Sequence, residues 1–392
     1  MTHYKKIKFI LSVCFGLCSF FAVSQNSDNK LTEYVDFLQT QNTSAKDYVL
    51  GLFDKYNIVV LCERHHAEMT QYDLIFDIVS DSRFTSQGGQ IMMEVGVSNL
   101  EERLNAFLQN DTLSDEKVEY NILNIIRYND YYPLWEMTNY PVFIKKLHNL
   151  NKTLPQKEKI TIHPVDLPFS WTDITSKKQY KIIMVSTDLT RDDIMGEQMQ
   201  KIIEENPDKK FLIIMNAYHS WFVPEKYGAS WWVKNAAGEK AVNVLLSNTW
   251  VGTLTDEGKW DAAFKMANKE NLGFDLENTP FGQTDFLKYF FKGGFVFKID
   301  TLLKNHNKMQ DFYHGYVFYK PIEQHILSFG YPNYISGNFK KEMNRRVKIA
   351  WGNFDAILGK YKIRNFYNKV RAKQYHDIDK LIKQRDKWIK NK

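Results

Sequence analysis

The chain contains the stretch Ile58-Val59-Val60-Leu61-Cys62-Glu63-Arg64-His65-His66, in which an apolar run passes directly into ionisable residues. Its first four residues are apolar and mostly β-branched, a pattern typical of a strand buried on both faces. A strand of this kind occurs in a parallel sheet that is covered by helices on both sides. The stretch therefore predicts a buried strand that ends at a group of ionisable side chains.

Further apolar runs along the chain predict more strands, at residues 91–93, 160–162, 211–215, 242–246, 295–297 and 316–319. Helical periodicity separates them over residues 68–79 and 135–150. The sequence Thr190-Arg191-Asp192-Asp193 resembles a capping box and predicts the start of another helix. Strands that alternate with helices indicate an α/β fold with a mainly parallel central sheet flanked by helices.

The predicted domain organisation has one α/β domain over residues 25–336. Within it, residues 97–150 contain two or three helical stretches and no strand, which predicts a helical cap insertion. Residues 337–392 are predicted to form a basic helical C-terminal extension. The chain is long enough to bury a sizeable core.

The N-terminus resembles a secretory signal peptide. Lys5, Lys6 and Lys8 precede an apolar run over residues 9–23, and small residues lead to a cleavage site after Ser24. We therefore expect residues 1–24 to be removed and the protein to be secreted or periplasmic, in the cell envelope. The alternative is an uncleaved N-terminal anchor, for which the run is short.

Composition excludes several classes of protein. Gly and Pro total only 29 residues and 15% of the chain is aromatic, which excludes collagen-like and disordered proteins. Only one apolar run is long enough to consider as a membrane span, so a multi-span protein is not expected. The predicted mature chain keeps Cys62 as its one cysteine and can form no intramolecular disulfide.

Charge is unevenly distributed. Residues 340–392 carry 17 Lys and Arg against 5 Asp and Glu, a net charge of +12, while residues 25–339 carry −9. The basic tail either makes a weak contact with an anionic surface or packs as helices on the acidic body with its cations in solvent. Its apolar residues favour packing, and no nucleic-acid partner is expected.

Ionisable residues follow four of the predicted strands. Glu63 and His66 follow the first, Glu94 follows the second, Asp166 the third and His219 the fourth. Ligands bind outside the carboxyl ends of strands in open α/β sheets, so these groups are expected at one edge. Glu63 and His66, three residues apart, are a carboxylate and a general base in reach of one cavity, or else a surface pair.

These residues resemble a known family. Cys62-Glu63-Arg64-His65-His66, Met93-Glu94, Arg191-Asp192-Asp193-Ile194-Met195-Gly196-Glu197 and Asn216-Ala217-Tyr218-His219 follow the motif order of the erythromycin esterase-like proteins. That family has Gly-Glu-x-x-His, a strand-end Glu, Arg-Asp-x-x-Met-Ala-Glu and a strand-end His after Asn-Ala. It is grouped with the ChaN-like haem-uptake proteins and the Tiki/TraB-like proteins. The resemblance spans roughly residues 55–320.

The resemblance implies a secreted hydrolase in which His66 activates water and Glu63 orients its ring. Glu94 and His219 would complete the site, and Arg191 matches the Arg of the third motif. The substrate would be an ester, lactone or amide, on a small molecule or peptide. An acidic body favours neutral or cationic substrates, and no cofactor is expected.

Two alternatives remain open. The same residues could bind a divalent transition metal, as in a metal-dependent peptidase or esterase of the Tiki/TraB type. The protein could also bind haem or another metallo-ligand without turnover, like the ChaN branch. Tyr128, Tyr131, Tyr132, Trp135 and Tyr140 either line a ligand cleft or belong to the core.

Overall fold

The computed structural model describes residues 28–129, 131–133, 138–247, 249–250, 253–287, 304–352 and 367–390. The predicted signal peptide, the predicted strand at 295–297 and Trp135 lie outside the described residues. Among the described residues no helix has both the length and the apolar character needed to cross a membrane.

A seven-stranded sheet forms the centre of the fold. Its strand order is β3-β2-β4-β1-β5-β9-β8, and every neighbouring pair is parallel except β8 and β9. The α/β prediction is therefore confirmed. The strands are β1 Ile58–Glu63, β2 Gln90–Val97, β3 Ile162–Asp166, β4 Phe211–Asn216, β5 Ala241–Leu246, β8 Asn271–Asp275 and β9 Gly315–Tyr319.

Two small antiparallel pairs lie outside this sheet. One joins β6 Thr249–Trp250 to β7 Thr253–Leu254, and the other joins β10 Leu327–Phe329 to β11 Arg371–Lys373. The second pair connects the C-terminal extension to the main domain, because β11 lies beyond residue 337.

Helices cover both faces of the sheet. Their bounds are α1 Asp28–Thr40, α2 Ala45–Leu52, α3 Met69–Val79, α4 Ser82–Thr85, α5 Glu101–Gln109, α6 Asp115–Ile126, α7 Asn139–Asn151, α8 Lys177–Glu205, α9 Ser230–Ala237, α10 Lys259–Ala267, α11 Met309–Phe312, α12 Phe339–Trp351 and α13 Ile378–Lys390. Side chains alternate between the faces of a strand, so β1 contributes to two cores. Val59 and Leu61 pack with α2, α3, α5, α6 and α7, whereas Val60 and Cys62 pack with α1, α8, α9 and α10.

Strand β1 lies between β4 and β5, and its register sets the position of the strand ends. Ile58 pairs with Phe211 and with Ala241, and Glu63 pairs with Asn216. Strand β2 pairs with the other edge of β4. The carboxyl ends of β1, β2 and β4 are therefore adjacent, as the sequence predicts.

Helix α8 is much longer than predicted. It begins after Ser176, whose hydroxyl accepts a hydrogen bond from the Gln179 amide in a complete capping box, and it continues for 29 residues. The predicted helix start at Thr190–Asp193 is wrong, because this pattern lies in the helix interior. Arg191 is consequently not in a first turn, and the helix dipole gives no reason for its position.

The described part of the C-terminal extension, residues 337–352 and 367–390, contains the helices α12 and α13 and the short strand β11. Leu381 of α13 is fully buried in a cluster with Leu254 and Ile322. Arg385 of the same helix forms an ion pair with Glu323 at 2.5 Å between Nη1 and Oε1. Helix α13 therefore packs on the domain through Leu381 and Arg385.

Candidate active site

Glu63 is the last residue of β1 and is fully buried. Alternation along the strand gives it the same face as Val59 and Leu61. Its Oε1 contacts His66 Nδ1, and its Oε2 accepts a hydrogen bond from the Tyr72 hydroxyl at 3.3 Å. Both carboxylate oxygens therefore have a donor in a site away from solvent.

His66 lies in the loop between β1 and α3, with 20% of its side chain exposed. Its Nδ1 faces Glu63, its Nε2 lies 3.7 Å from Glu94 Oε1, and its carbonyl oxygen accepts from Asn139 Nδ2 at 2.6 Å. Burial lowers the pKa of His66, but Glu63 and Glu94 outweigh it and raise the pKa to about 9. The ring is thus held as an imidazolium at neutral pH.

Glu94 was predicted to follow the second strand, but β2 continues to Val97, so Glu94 lies inside the strand, within a register shift in the pairing with β3. It is 1% exposed. Its Oε1 accepts from Arg191 Nη2 at 2.9 Å and lies 3.4 Å from His219 Nε2. Its Oε2 accepts from the main-chain amide of Asn216 at 2.7 Å. Burial raises the pKa of Glu94, but His219, His66 and Arg191 overcome this and hold the pKa well below its usual value.

His219 ends the short turn that follows β4. Asn216 caps this turn by accepting from the Tyr218 amide at 3.1 Å. His219 Nδ1 lies 2.5 Å from Asp192 Oδ1. Burial lowers the pKa of His219, while Asp192 and Glu94 raise it to about 10.

Arg191 projects from the middle of α8 and links two carboxylates. Its Nε and Nη2 donate to Asp166 at 3.0 and 2.8 Å, and Nη2 also donates to Glu94. Burial lowers the pKa of Arg191, but Glu94 and Asp166 raise it well above its usual value. Asp166 also accepts from the Leu167 amide at 2.7 Å, so its carboxylate is held where it can position Arg191.

All five residues predicted for the site, namely Glu63, His66, Glu94, Arg191 and His219, lie in one connected group. Sequence reasoning missed Asp192 and Tyr72 as partners of this group. Asp192 had a detectable signal, because the third motif pairs Arg with Asp. Tyr72 had none, since its position on α3 is that of an ordinary apolar-face residue.

Of the other residues discussed above, Tyr131 contacts the group, since its hydroxyl donates to Asp166 Oδ2 at 3.3 Å. His65 is exposed, and its Nδ1 accepts from the Ala67 amide at 3.1 Å. Cys62 is fully buried on the opposite face of β1, where burial raises the pKa of its thiol to about 12. Tyr131 and Tyr140 are buried in the core, whereas Tyr128 lines a cleft of about 650 Å³ beside α12.

Two histidine–carboxylate pairs thus meet at a single carboxylate oxygen. His66 with Glu63, and His219 with Asp192, both direct Nε2 toward Glu94 Oε1. A carboxylate at Nδ1 fixes the proton there and leaves Nε2 for exchange with a ligand. Such a pair of imidazoles can accept a proton at one ring and deliver one from the other.

The described residues also contain one group suited to a cation. Ligand atoms of Glu63, His66 and Glu94 lie within 4.8 Å of one another. Two carboxylates and an imidazole suit a divalent transition metal. A metal at this point would replace the proton that His66 shares with Glu63.

Comparisons with known proteins give distant structural likenesses. No family model matches the chain, and no curated protein matches it. A Bacillus cereus protein of known structure is 9% identical with a TM-score of 0.48, covering 74% of this chain and 97% of that one. A succinoglycan biosynthesis protein is 11% identical with a TM-score of 0.47, covering 76% and 97%.

The solved structures also include ChaN of Campylobacter jejuni, which binds haem cofacially. It is 16% identical with a TM-score of 0.34, and the match covers 52% of this chain and 86% of that one. These are likenesses between folds, and the chemistry of the site does not carry over at such identities.

Proposed function

We propose that the protein is a hydrolase in which His66 activates water. The observation that carries this proposal is the convergence of two histidine–carboxylate pairs on Glu94 at the carboxyl ends of the strands. Paired imidazoles of this kind provide a base for the nucleophile and an acid for the leaving group.

His66 is the base in this mechanism because its Nδ1 is committed to Glu63. Loss of the Nε2 proton leaves a neutral ring that accepts a proton from water lying beside Glu94. Glu63 then stabilises the imidazolium that forms, as a carboxylate does for a catalytic histidine. Glu94 faces both rings, with its Oε1 3.7 Å from Nε2 of His66 and 3.4 Å from Nε2 of His219.

His219 and Arg191 provide positive charge for the second half of the reaction. With a pKa near 10, His219 is protonated at neutral pH and can donate from Nε2 to a leaving group. Arg191 Nη1 lies 3.3 Å from that same nitrogen. A negatively charged tetrahedral intermediate of acyl transfer would be stabilised beside these cations.

The proposed substrate is a neutral or cationic ester, lactone or amide. The site contains four carboxylates, those of Glu63, Glu94, Asp166 and Asp192, against three cationic side chains. Residues 25–339, which include the site, carry a net charge of −9. This excess of carboxylates disfavours an anionic substrate.

The test is His66→Asn beside His65→Asn, assayed on a panel of neutral esters, lactones and amides. We expect His66→Asn to lower kcat by about 10²- to 10⁴-fold, the usual contribution of a general base. His65→Asn is the matched control, because the His65 side chain is exposed and its Nδ1 accepts from the Ala67 amide. Full activity in His66→Asn would overturn the mechanism.

A metal-dependent hydrolase is the second candidate, supported by the 4.8 Å grouping of Glu63, His66 and Glu94. These residues would hold the ion, which supplies a Lewis acid and lowers the pKa of bound water. Elemental analysis of the purified protein beside Glu63→Ala tests this candidate. A stoichiometric metal that is lost in the variant supports it, and activity after exhaustive chelation contradicts it.

Haem binding without turnover is the third candidate. It needs an imidazole with a free ring nitrogen, and Nε2 of His66 would have to leave Glu94 to provide one. A Soret band that grows to a stoichiometric end point on haem titration, and weakens in His66→Asn, would favour haem binding. A haem titration that produces no Soret band would exclude haem binding.

A further inference from the structure

The loop that carries His66 is held by main-chain hydrogen bonds to the segment around β10. The Ser328 amide donates to Ala67 O at 2.8 Å, and the Met69 amide donates to Ile326 O at 2.7 Å. Glu68 and Leu327 form an isolated antiparallel bridge at the same place. The loop between β1 and α3 therefore pairs with β10 as a short third strand would.

The other edge of β10 is occupied by the C-terminal extension. Strand β11 pairs with it antiparallel, with Leu327 opposite Lys373 and Phe329 opposite Arg371. Ser328 directs its amide to Ala67 and its carbonyl to the Thr138 amide, so it faces away from β11. In an antiparallel ladder, hydrogen-bonded and non-hydrogen-bonded pairs alternate. The main-chain hydrogen bonds between β10 and β11 therefore belong to the pairs Leu327–Lys373 and Phe329–Arg371.

Helix α13 anchors β11 on the domain. Gln374 Nε2 donates to Glu323 O at 2.6 Å, and Glu323 also pairs with Arg385. Gly258 lies so close to the main chain of α13 that an added Cβ would be 2.7 Å from the Arg385 nitrogen. The extension thus contacts residues 322–329, the same segment that forms main-chain hydrogen bonds with the loop.

Arg64, at the start of the loop, joins the loop to this segment. Its Nη1 contacts His325 Nε2 at 2.6 Å, and its Nη2 donates to Tyr319 O at 2.6 Å. Within the loop, Arg64 also pairs with the fully buried Glu68 at 3.2 Å between Nη1 and Oε2. Displacing the segment would therefore weaken the contacts that fix the loop.

We propose that residues 367–390 of the C-terminal extension, which contain β11 and α13, position His66 through β10. The extension makes no direct contact with Glu63, Glu94 or His219 in the described residues and acts only by fixing the loop. The expected effect of the extension on catalysis rests on the proposed function. The expected effect on the loop does not, because the mobility of the loop can be measured in the protein without substrate.

The experiment compares Lys373→Pro with Ala372→Pro in the full chain. Proline at 373 removes a donor to β10, whereas proline at 372 replaces an amide on the other edge of β11, where proline is tolerated. Hydrogen exchange of the Met69 amide reports the loop, and the Leu212 amide in β4 reports the core. Lys373→Ala controls for the lost charge.

We expect Lys373→Pro to speed Met69 exchange by about tenfold or more while Leu212 exchange stays unchanged, as in local opening. Ala372→Pro and Lys373→Ala should leave both amides protected. In the hydrolase assay, Lys373→Pro should lower kcat with little change in KM. Unchanged Met69 exchange in Lys373→Pro would overturn the proposal.

A second variant covers the case in which Lys373→Pro speeds exchange at Leu212 as well. Gln374→Ala removes only the bond to Glu323 O and should raise Met69 exchange a few-fold with Leu212 protected. Protection of Met69 in that variant contradicts the proposal. Faster Met69 exchange in a protein that hydrolyses nothing would support the positioning role and contradict the hydrolase.

Discussion

At Glu94 a single buried carboxylate receives two imidazoles, one guanidinium and one main-chain amide. Removing a carboxylate from water is costly, and the cost is offset here by charge pairing and hydrogen bonds on both oxygens. The cations in turn keep their protons because of Glu94. The protonation states of the site are therefore linked to one another through this residue.

The pH dependence of activity follows from this linkage. With the pKa of His66 at about 9, the neutral ring is a minor form at pH 7. If the neutral ring is the base and protonated His219 is the acid, kcat/KM should rise about tenfold per pH unit from 7 toward 9 and fall above about 10, where His219 loses its proton. Glu63→Gln removes one cause of the raised pKa, so the inflection should move to lower pH.

A profile that is flat between pH 7 and 9 would contradict a free His66 base. It would instead favour a metal ion in place of the proton, because a cation beside the ring lowers its pKa. Metal content measured on the same preparation separates these two outcomes.

Asp192 is predicted to sustain the protonated form of His219. Asp192→Asn should lower the pKa of His219 and reduce kcat by about 10- to 100-fold, with leaving groups of high pKa affected most. Titration of the His219 ring by NMR measures the first effect. Asp193→Asn is the matched control, since Asp193 pairs with Lys226 and does not contact His219. An unchanged His219 titration in Asp192→Asn would contradict the role.

At the scale of elements, the strands were predictable wherever the apolar run was continuous, as in β1 and β4. Strand β8 was not, because its sequence Asn-Leu-Gly-Phe-Asp has only two apolar side chains and a glycine. The start of α8 was misjudged because Arg191, Asp192 and Asp193 look like capping residues. Their side chains bind Asp166, His219 and Lys226 instead, so tertiary contacts stabilise them in a helix interior.

Gly196 sets the distance between α8 and α9. A Cβ at this position would lie 2.0 Å from Cδ1 of Trp232, so the glycine allows the indole to pack on the helix backbone. In an exposed helix Gly→Ala would stabilise by about 1 kcal/mol. Here Gly196→Ala should destabilise by roughly 1–3 kcal/mol, because the packed ring has to shift.

Urea unfolding of a double-mutant cycle measures this contact. The double variant Gly196→Ala/Trp232→Leu should lose less free energy of unfolding than the two single variants lose together, because the leucine leaves room for the alanine methyl group. Trp231→Leu is the control for loss of a neighbouring indole, since Trp231 packs edge-on against Trp232 while the atoms nearest to a Cβ at Gly196 all belong to Trp232. Strict additivity with Trp232→Leu would show that the two positions do not touch.

At the scale of the whole molecule, residues from four strand ends and from α8 build the site. The residues contributed by strands were predictable from the sequence, because each follows an apolar run. The contributions from helices came from a resemblance, as for Arg191, or were missed, as for Tyr72. Helical side chains reach a site through the crossing geometry of the helix, which local periodicity does not contain.

Cys62 should report the global stability of the protein. It lies at 0% exposure and accepts a hydrogen bond from the Ser220 hydroxyl at 3.0 Å, and its pKa is raised to about 12. In protein lacking residues 1–24, reaction with a thiol reagent should be at least about 10³-fold slower than in urea, since it requires opening of the core. Ser220→Ala should change the rate of this reaction only as much as it changes the free energy of unfolding. A rate insensitive to urea would mean that Cys62 is reached from the folded state.

The position of β1 also has a consequence for synthesis of the chain. Ile58 pairs with Phe211, which is 153 residues later (211 minus 58), and with Ala241 beyond it. At about 5–20 residues per second, a ribosome needs roughly 8–30 seconds to make the first of these partners. Through that interval β1, with five apolar residues of six, has neither of its native neighbours to pair with. A factor that binds unfolded chains has this interval in which to bind the segment.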